Sequence, residues 1–359
     1  MRKILAILLS IALGLSMLLA TTGCGKQETG AKPSAEGEKN TVQPVRLKVG
    51  VLAAMTALPI VDIVNKGIDK QNGLEIEMVK FTTGAPMNEA MAAGQIDVSC
   101  IGAAGVFALA SYDAKMIAEI CDDTVGIDLV VRPDSPAAKE KGVNKDFPNI
   151  YGSADSLKGK TFLAPAGTLS QYEVGKYIDA FGLKMEDIKL VPMEYAQAYQ
   201  AFKAGEGDVL ATRSPQCFTA VDVEGWLTAA SLKDLKSTAT AQLVVRNDIY
   251  QSRFDALVKL TKLMHESNAR LNNDIEYSAK LMSDWFAQSG QKIELDIAKK
   301  QLAAKPFFSP EDVKQREFGN DLKTTITNFM ISSGQLKESD RTAIESNIKS
   351  DVIKAAGLK

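Results

Sequence analysis

Arg213 stands at the end of an apolar run, Val209 to Thr212, and just before Ser214-Pro215. A guanidinium at that point is expected to face outward from the end of a strand, and its planar fork matches a carboxylate or sulfonate in two-point geometry. Other small polar steps follow apolar runs in the same way: Met55-Thr56, Thr83-Gly84, Gly102-Ala103, Gly167-Thr168-Leu169-Ser170 and Glu194-Tyr195. Where such a step opens a helix, unpaired N–H groups and a partial positive charge suit an anion. A glycine there lets backbone approach a ligand closely, and Thr83 or Thr168 can cap the helix start. Met55, Tyr172 and Tyr195 sit beside these steps and can line the apolar part of a pocket. Asp122-Asp123 follows the apolar run Met116 to Cys121 and has two readings, an acceptor for an ammonium group or a salt bridge at a chain crossing. Arg213 with one of these acids implies a zwitterionic ligand; Arg213 alone implies a simple anion. The expected ligand-binding set is Met55, Thr56, Thr83, Gly84, Gly102, Ala103, Asp122, Gly167, Thr168, Ser170, Tyr195 and Arg213.

Catalysis finds little support in the same residues. The chain has one histidine, His265, on the flank of an apolar helical stripe, where a packing role fits best. A histidine-based metal cluster is therefore excluded, and no GxSxG elbow, Walker loop or metal-ligand spacing occurs. No cofactor is expected. After Cys24 the cysteines are Cys100, Cys121 and Cys217, each in or beside an apolar run and read as small core residues without a disulfide.

The elements that must position these residues follow a strand–helix rhythm. Val45 to Val51 alternates and is β-branched, and Met55, Leu58, Val61, Val64 and Ile68 recur at helical spacing. Strands follow at Leu74–Phe81, Ile96–Ile101, Met116–Cys121 and Ile127–Val131. A Pro- and Lys-rich interval, 132–152, breaks the pattern. It restarts with strands at Lys160–Ala164, Ile188–Val191 and Val209–Thr212, alternating with helices at Leu169–Phe181 and Tyr195–Lys203. Gln242–Val245 is a last strand, and from Asp248 the chain reads as helical, with Trp226 and Trp285 placed in the core. Two βα runs imply an α/β fold of two lobes, each with a mainly parallel sheet flanked by helices. In such sheets ligands bind beyond the carboxyl ends of the strands, which is where every polar step above falls. The composition agrees: 359 residues, 45% hydrophobic, 24% charged and a net charge of −2 describe a globular chain of about two domains without the basic face of a nucleic-acid binder.

The first segment reads as an address. Arg2-Lys3 precedes an unbroken apolar run, Ile4 to Ala20, and then Thr21-Thr22-Gly23-Cys24. Gly23-Cys24 resembles the lipobox of bacterial lipoproteins, with Thr21 departing from the usual Leu; the alternative is an uncleaved membrane anchor with Cys24 incidental. The lipobox implies a signal peptide over 1–23 and a lipid on Cys24, placing the remainder outside the cytoplasm and tied to the membrane. Residues 24–44 form a polar tether with a mean reach of about 25 Å.

Further motifs are Val49-Gly50-Val51, Ala90-Met91-Ala92-Ala93-Gly94-Gln95-Ile96-Asp97, Ser156-Leu157-Lys158-Gly159-Lys160-Thr161, Pro165-Ala166-Gly167-Thr168, and Ala201-Phe202-Lys203-Ala204-Gly205 with Asp208. In this order and spacing the chain resembles the substrate-binding proteins of ABC importers for nitrate, sulfonate and taurine, which share a fold with thiamine-precursor binding proteins. The resemblance implies a type II periplasmic-binding-protein fold of two lobes hinged by two crossover strands, near Ile127–Val131 and Gln242–Val245, with C-terminal helices on lobe one. It puts the first part of lobe one at 45–130, lobe two at 131–241, and the return crossover and terminal helices at 242–359. It also implies a small-molecule ligand captured by lobe closure, a permease with its ATPase as partners, and action as a monomer without catalysis. Arg213 stands where the family often has an aromatic. Two other functions stay open: a tethered sensor that passes its signal to a receptor, and a binder of a pyrimidine or amino-acid-like ligand. The same fold hosts a pyrimidine synthase, whose histidine and Cys-rich stretch are missing here.

Overall fold

A computed structural model describes residues 43–359; the signal segment, Cys24 and most of the tether lie outside the described residues. The strands are β1 (Val45–Leu52), β2 (Leu74–Phe81), β3 (Val98–Ile101), β4 (Lys115–Asp122), β5 (Ile127–Val131), β6 (Thr161–Ala164), β7 (Lys189–Pro192), β8 (Val209–Arg213), β9 (Leu227–Ser231) and β10 (Thr240–Val245). They form two five-stranded sheets, ordered β2-β1-β3-β10-β4 and β7-β6-β8-β5-β9. In each sheet one strand, β10 or β5, runs antiparallel to its neighbours and the rest run with one another. Helices between successive parallel strands cover the faces, so strand residues such as Leu47, Val49 and Val51 are fully buried.

Two of the sequence motifs have a matching structural job in the two sheets. Asp97 accepts the Lys48 N–H of β1 on its carboxylate at 3.0 Å, while its own N–H donates to Lys48 O at 2.8 Å. Asp208 repeats this on Thr161 of β6, both bonds being 2.8 Å. Each acid pins the start of the third parallel strand to the first, at mid-strand in β1 and at the first residue of β6, satisfying backbone groups that the short ladder leaves open.

The crossings differ from their expected places. Ile127–Val131 is not a crossover but an interior strand of the second sheet, paired with β8 and β9, so the 130/131 boundary falls inside it. Gln242–Val245 lies within β10, inside the first sheet between β3 and β4. The chain instead passes between the sheets over 123–126 and 232–239, and the two passages are joined: the Asp123 N–H donates to Ala239 O at 2.9 Å, and the Ala239 N–H to Thr124 Oγ1 at 3.1 Å. Gly126 ends the first passage with φ +78°, and a Cβ there would lie 2.3 Å from Ser214 Oγ. Strand β9 escaped the sequence reading because Leu-Thr-Ala-Ala-Ser carries little β-branched or aromatic signal. The expected first helix is broken at Gly67, whose φ of +65° ends the Leu58–Asn65 segment.

The C-terminal helices pack on the first sheet's helical layer. Asp62, fully buried on the helix Leu58–Asn65, accepts from Ser267 (2.7 Å), Arg270 (2.8 Å) and Tyr277 (2.8 Å) and pairs with Lys66 (2.8 Å). Burial alone would raise its carboxyl; these four partners together hold it below the usual carboxylate range. Trp285 is buried and donates its Nε1–H to Leu52 O at 3.0 Å, tying the helix Ile275–Ala287 to the end of β1. Trp226 is likewise buried, in the second sheet's core.

His265 is buried in the helix Phe254–Asn273, with Nδ1 2.8 Å from Phe308 O. That bond makes Nδ1 the protonated nitrogen, and burial pushes the imidazole pKa down to about 4. The unfolded chain therefore takes up this proton first as pH falls. His265 contributes stability above pH ~6.5 that is lost progressively toward pH ~4, about 3 kcal/mol in all. Urea unfolding of wild type and His265→Asn at pH 7 and pH 4.5 checks this. The wild type should lose the larger share of its stability; equal losses would remove His265 as the titrating group.

Candidate functional site

The carboxyl ends of β1, β2, β3, β6, β7 and β8 face one another across a cleft. Its inner part is a cavity of about 30 Å³, walled on the first-sheet side by Leu52, Thr56, Thr83, Gly84 and the turn Ile101–Ala104. The second-sheet side supplies Thr168, Leu169, Tyr195 and Arg213, and the first passage supplies Asp123 and Ile127. Of the residues expected from sequence, the structure thus brings together Thr56, Thr83, Gly84, Gly102, Ala103, Thr168, Tyr195 and Arg213.

Met55, Asp122, Gly167 and Ser170 are not in the lining. Met55 is packed into the core beneath the cleft. Asp122 turns its carboxylate back to the Thr124 N–H at 2.7 Å. Gly167, at φ +65°, turns toward Phe107, and its N–H donates to Gln171 Oε1 at 2.7 Å. Ser170 is one layer out, its hydroxyl 2.9 Å from Tyr195 OH, and so orients a lining ring. Tyr172 is also withdrawn: its hydroxyl donates to Ser237 Oγ at 3.0 Å and its ring meets Phe329 edge-on.

Three helices start at this cavity: Gly84–Ala92, Leu169–Asp179 and Tyr195–Lys203. Thr83, Thr168 and Glu194 occupy their N-cap positions in extended backbone, yet none caps with its side chain. The expectation that Thr83 and Thr168 cap is therefore corrected. Thr168 Oγ1 donates to Pro165 O at 2.9 Å, and Thr83 Oγ1 donates across the cleft to Glu194 Oε1 at 3.2 Å. The first-turn N–H groups are left without side-chain partners at the cavity wall, which is the arrangement that receives an anion. Thr56 Oγ1, on a side chain that is 2% exposed, also lacks a partner.

The charged residues lining the cavity are Arg213 and Asp123, with Lys305 behind Asp123 and Glu194 at the rim on Thr83. Among the described residues the Arg213 guanidinium has no hydrogen-bond or carboxylate partner; it lies 5.4 Å from the centre of the Tyr195 ring. Asp123 is paired with Lys305, both almost wholly buried. Burial pulls the Lys305 ammonium down, but Asp123 more than offsets this and its pKa stands above the ordinary value. Asp123 and Lys305 balance one another, which leaves the Arg213 guanidinium as the cation without a partner there, while the Glu194 carboxylate at the rim is engaged by the Thr83 hydroxyl. Asp123 thus shows the salt bridge at the crossing, and it also forms part of the wall. Lys305 carried no sequence signal, because it arrives from 182 positions downstream.

A second cavity of about 300 Å³ adjoins the first, sharing Leu52, Tyr195 and Arg213 with it. Sequence reasoning missed this outer space, because part of its wall comes from Phe286, Ser289 and Gln291 in the C-terminal half.

The NMT1-like family model matches residues 40–295, most of the body that forms both sheets and the cleft. The chain belongs to the NMT1-like family. Within this NMT1-like setting, a relative from Brachyspira hyodysenteriae is 32% identical over 353 residues, 98% of this chain and 99% of that one, and is named as an ABC transporter periplasmic binding protein. At that identity and coverage the chain is a member of the ABC transporter periplasmic binding protein family. A binding protein from Brucella abortus is 23% identical over 82% of this chain and 87% of its own. Among solved structures, the alkanesulfonate-binding protein of Xanthomonas axonopodis pv. citri, bound to MOPS, superposes with a TM-score of 0.67 at 18% identity, over 86% of this chain and 99% of that one. The periplasmic nitrate-binding protein of Synechocystis gives 0.68 at 14% identity, over 88% of each chain. The NMT1-like chain therefore has the two-lobe periplasmic-binding-protein fold, and its relatives and structural neighbours are binding proteins. Its buried thiols are poor nucleophiles: burial pushes Cys100 up to about 12 and holds Cys217 well above its ordinary value. Among the described residues no helix is long and apolar enough to cross a membrane, and no group of three His, Cys, Asp or Glu is placed to hold a metal ion.

Proposed function

We propose that this protein is the solute-capturing component of an ABC importer and takes a small organic monoanion between its two lobes. The carrying observation is the unpartnered Arg213 guanidinium at a cavity where Asp123 and Lys305 cancel and Glu194 is engaged by Thr83. Helix starts from both lobes meet there, at Gly84 on one side and at Leu169 and Tyr195 on the other. An anion that touches both sides favours the closed form over the open one, because only closure supplies all its contacts. The closed form then docks on a permease driven by its ATPase, while a lipid on Cys24 keeps the protein outside the cytoplasm at the membrane surface. A second reading, a zwitterion, is favoured by Asp123, one of whose oxygens pairs with Lys305 while the residue also walls the cavity.

A thermal-shift screen of the body from about residue 25 onward separates the readings. The panel holds alkanesulfonates, carboxylates, nitrate, taurine, amino acids and pyrimidines. A ligand at 100 times its Kd adds about 2.7 kcal/mol, a shift of several degrees for a chain of this size. Monoanions should give the shifts. Zwitterions outranking matched anions would favour the Asp123 reading, and shifts from uncharged pyrimidines alone would defeat both.

A further inference from the structure

The two cavities meet at a waist formed by Leu52, Tyr195 and Arg213. Inside it, about 30 Å³ holds roughly two water-sized groups, so only the charged head of an organic anion fits there. Beyond those shared residues lies a second space of about 300 Å³ that Arg213 also borders. The outer charges are already engaged. Lys80 lies 4.3 Å from the Trp285 ring centre and donates to Gln288 Oε1 at 3.0 Å, and Glu194 accepts from Thr83. The polar side chains left unengaged include the amides of Gln216 and Gln291 and the hydroxyls of Thr82 and Ser289, which have no hydrogen-bond partner among the described residues, beside Phe81 and Phe286; of these the two amides both donate and accept through separate atoms. Small numbers of placed polar groups on an apolar wall are what fix a ligand's orientation.

We infer that the outer cavity is a tail subsite, and that the ligand is an elongated monoanion: a charged head, an apolar stem, and an uncharged polar end that bonds Gln216 and Gln291. This rests on Arg213 holding the head. Gln216 opens the second lobe's helix Gln216–Asp222, whereas Gln291 follows the first lobe's helix Ile275–Ala287, so the tail's end bridges the lobes and adds to closure. Inorganic anions fill only the inner space and gain none of this.

Calorimetric titration of propionate, hexanoate and 6-amino-6-oxohexanoate, with the matching sulfonates, tests the subsite. Hexanoate should bind more tightly than propionate, and the amide-ended acid about tenfold more tightly than hexanoate, the typical worth of a hydrogen bond to an otherwise unpaired group. The double variant Gln216→Ala, Gln291→Ala should erase the ratio between amide-ended and methyl-ended acids. Propionate binding as tightly as the longer acids, or the ratio surviving in the double variant, overturns the tail subsite and leaves Arg213 as the head group's partner. If no acid or sulfonate of any length binds, the anion reading of Arg213 falls and the tail subsite with it.

Discussion

Lys305→Met should lower the stability of the folded body by about 3–5 kcal/mol, because it leaves the Asp123 carboxylate buried without its counter-ion. Asp123 sits at the first passage between the sheets and its side chain is 4% exposed, against 3% for Lys305. Water cannot replace the ammonium there without opening the crossing, where Asp123 also bonds Ala239. The double variant Asp123→Leu, Lys305→Met should recover most of the loss, since two apolar groups of similar volume carry no unpaired charge. Urea unfolding at pH 7 measures both. A loss below about 1 kcal/mol for the single variant would mean a hydrated carboxylate, and Lys305 would then count as a second free cation at the cavity. The pH dependence has a definite sign. With its folded pKa above the ordinary lysine value, Lys305 contributes stability that is full below pH ~10.5 and lost as pH rises through the folded value.

Arg213→Ala should act on binding and hardly on stability. Arg213 is partly exposed and its guanidinium holds no hydrogen-bond or carboxylate partner among the described residues, so its loss should change unfolding by under about 0.5 kcal/mol. The same change should weaken a bound monoanion by about 1.5–3 kcal/mol, the usual range for a charged hydrogen bond. Arg213→Lys should fall between, because an ammonium keeps the charge but loses the two-point fork. Calorimetry with the best anion of the screen distinguishes these cases, and unchanged affinity in Arg213→Ala would remove this residue from the ligand.

Much of this site was legible because strand ends are punctuated. Thr83-Gly84, Gly102-Ala103, Thr168 and Arg213 each follow an apolar run, and the carboxyl-end rule then places them on one cleft. Asp123 could not be told from Asp122, because a single position at the end of β4 decides whether a side chain faces the cavity or turns back on its own loop. Thr83 and Thr168 look like caps, yet their hydroxyls found partners that only the folded neighbours supply: Glu194 from the other lobe and Pro165 from the preceding turn. Phe286 reaches the cleft from a helix, and Lys305 and Gln291 from the ends of helices, whose periodicity reports packing on the first sheet and nothing about the ligand. The crossings were misplaced for a related reason. The apolar run of β5 is that of an interior strand, whereas the true passages, 123–126 and 232–239, are polar and carry no strand signal.

The most direct test is a crystal structure of the soluble body with the tightest-binding anion from the screen. The charged head is expected within hydrogen-bonding distance of the Arg213 guanidinium, between the helix starts at Gly84 and Leu169, with both lobes in contact with it. A ligand bound elsewhere, with Arg213 turned to solvent or paired to a protein carboxylate, would contradict anion capture at this cleft.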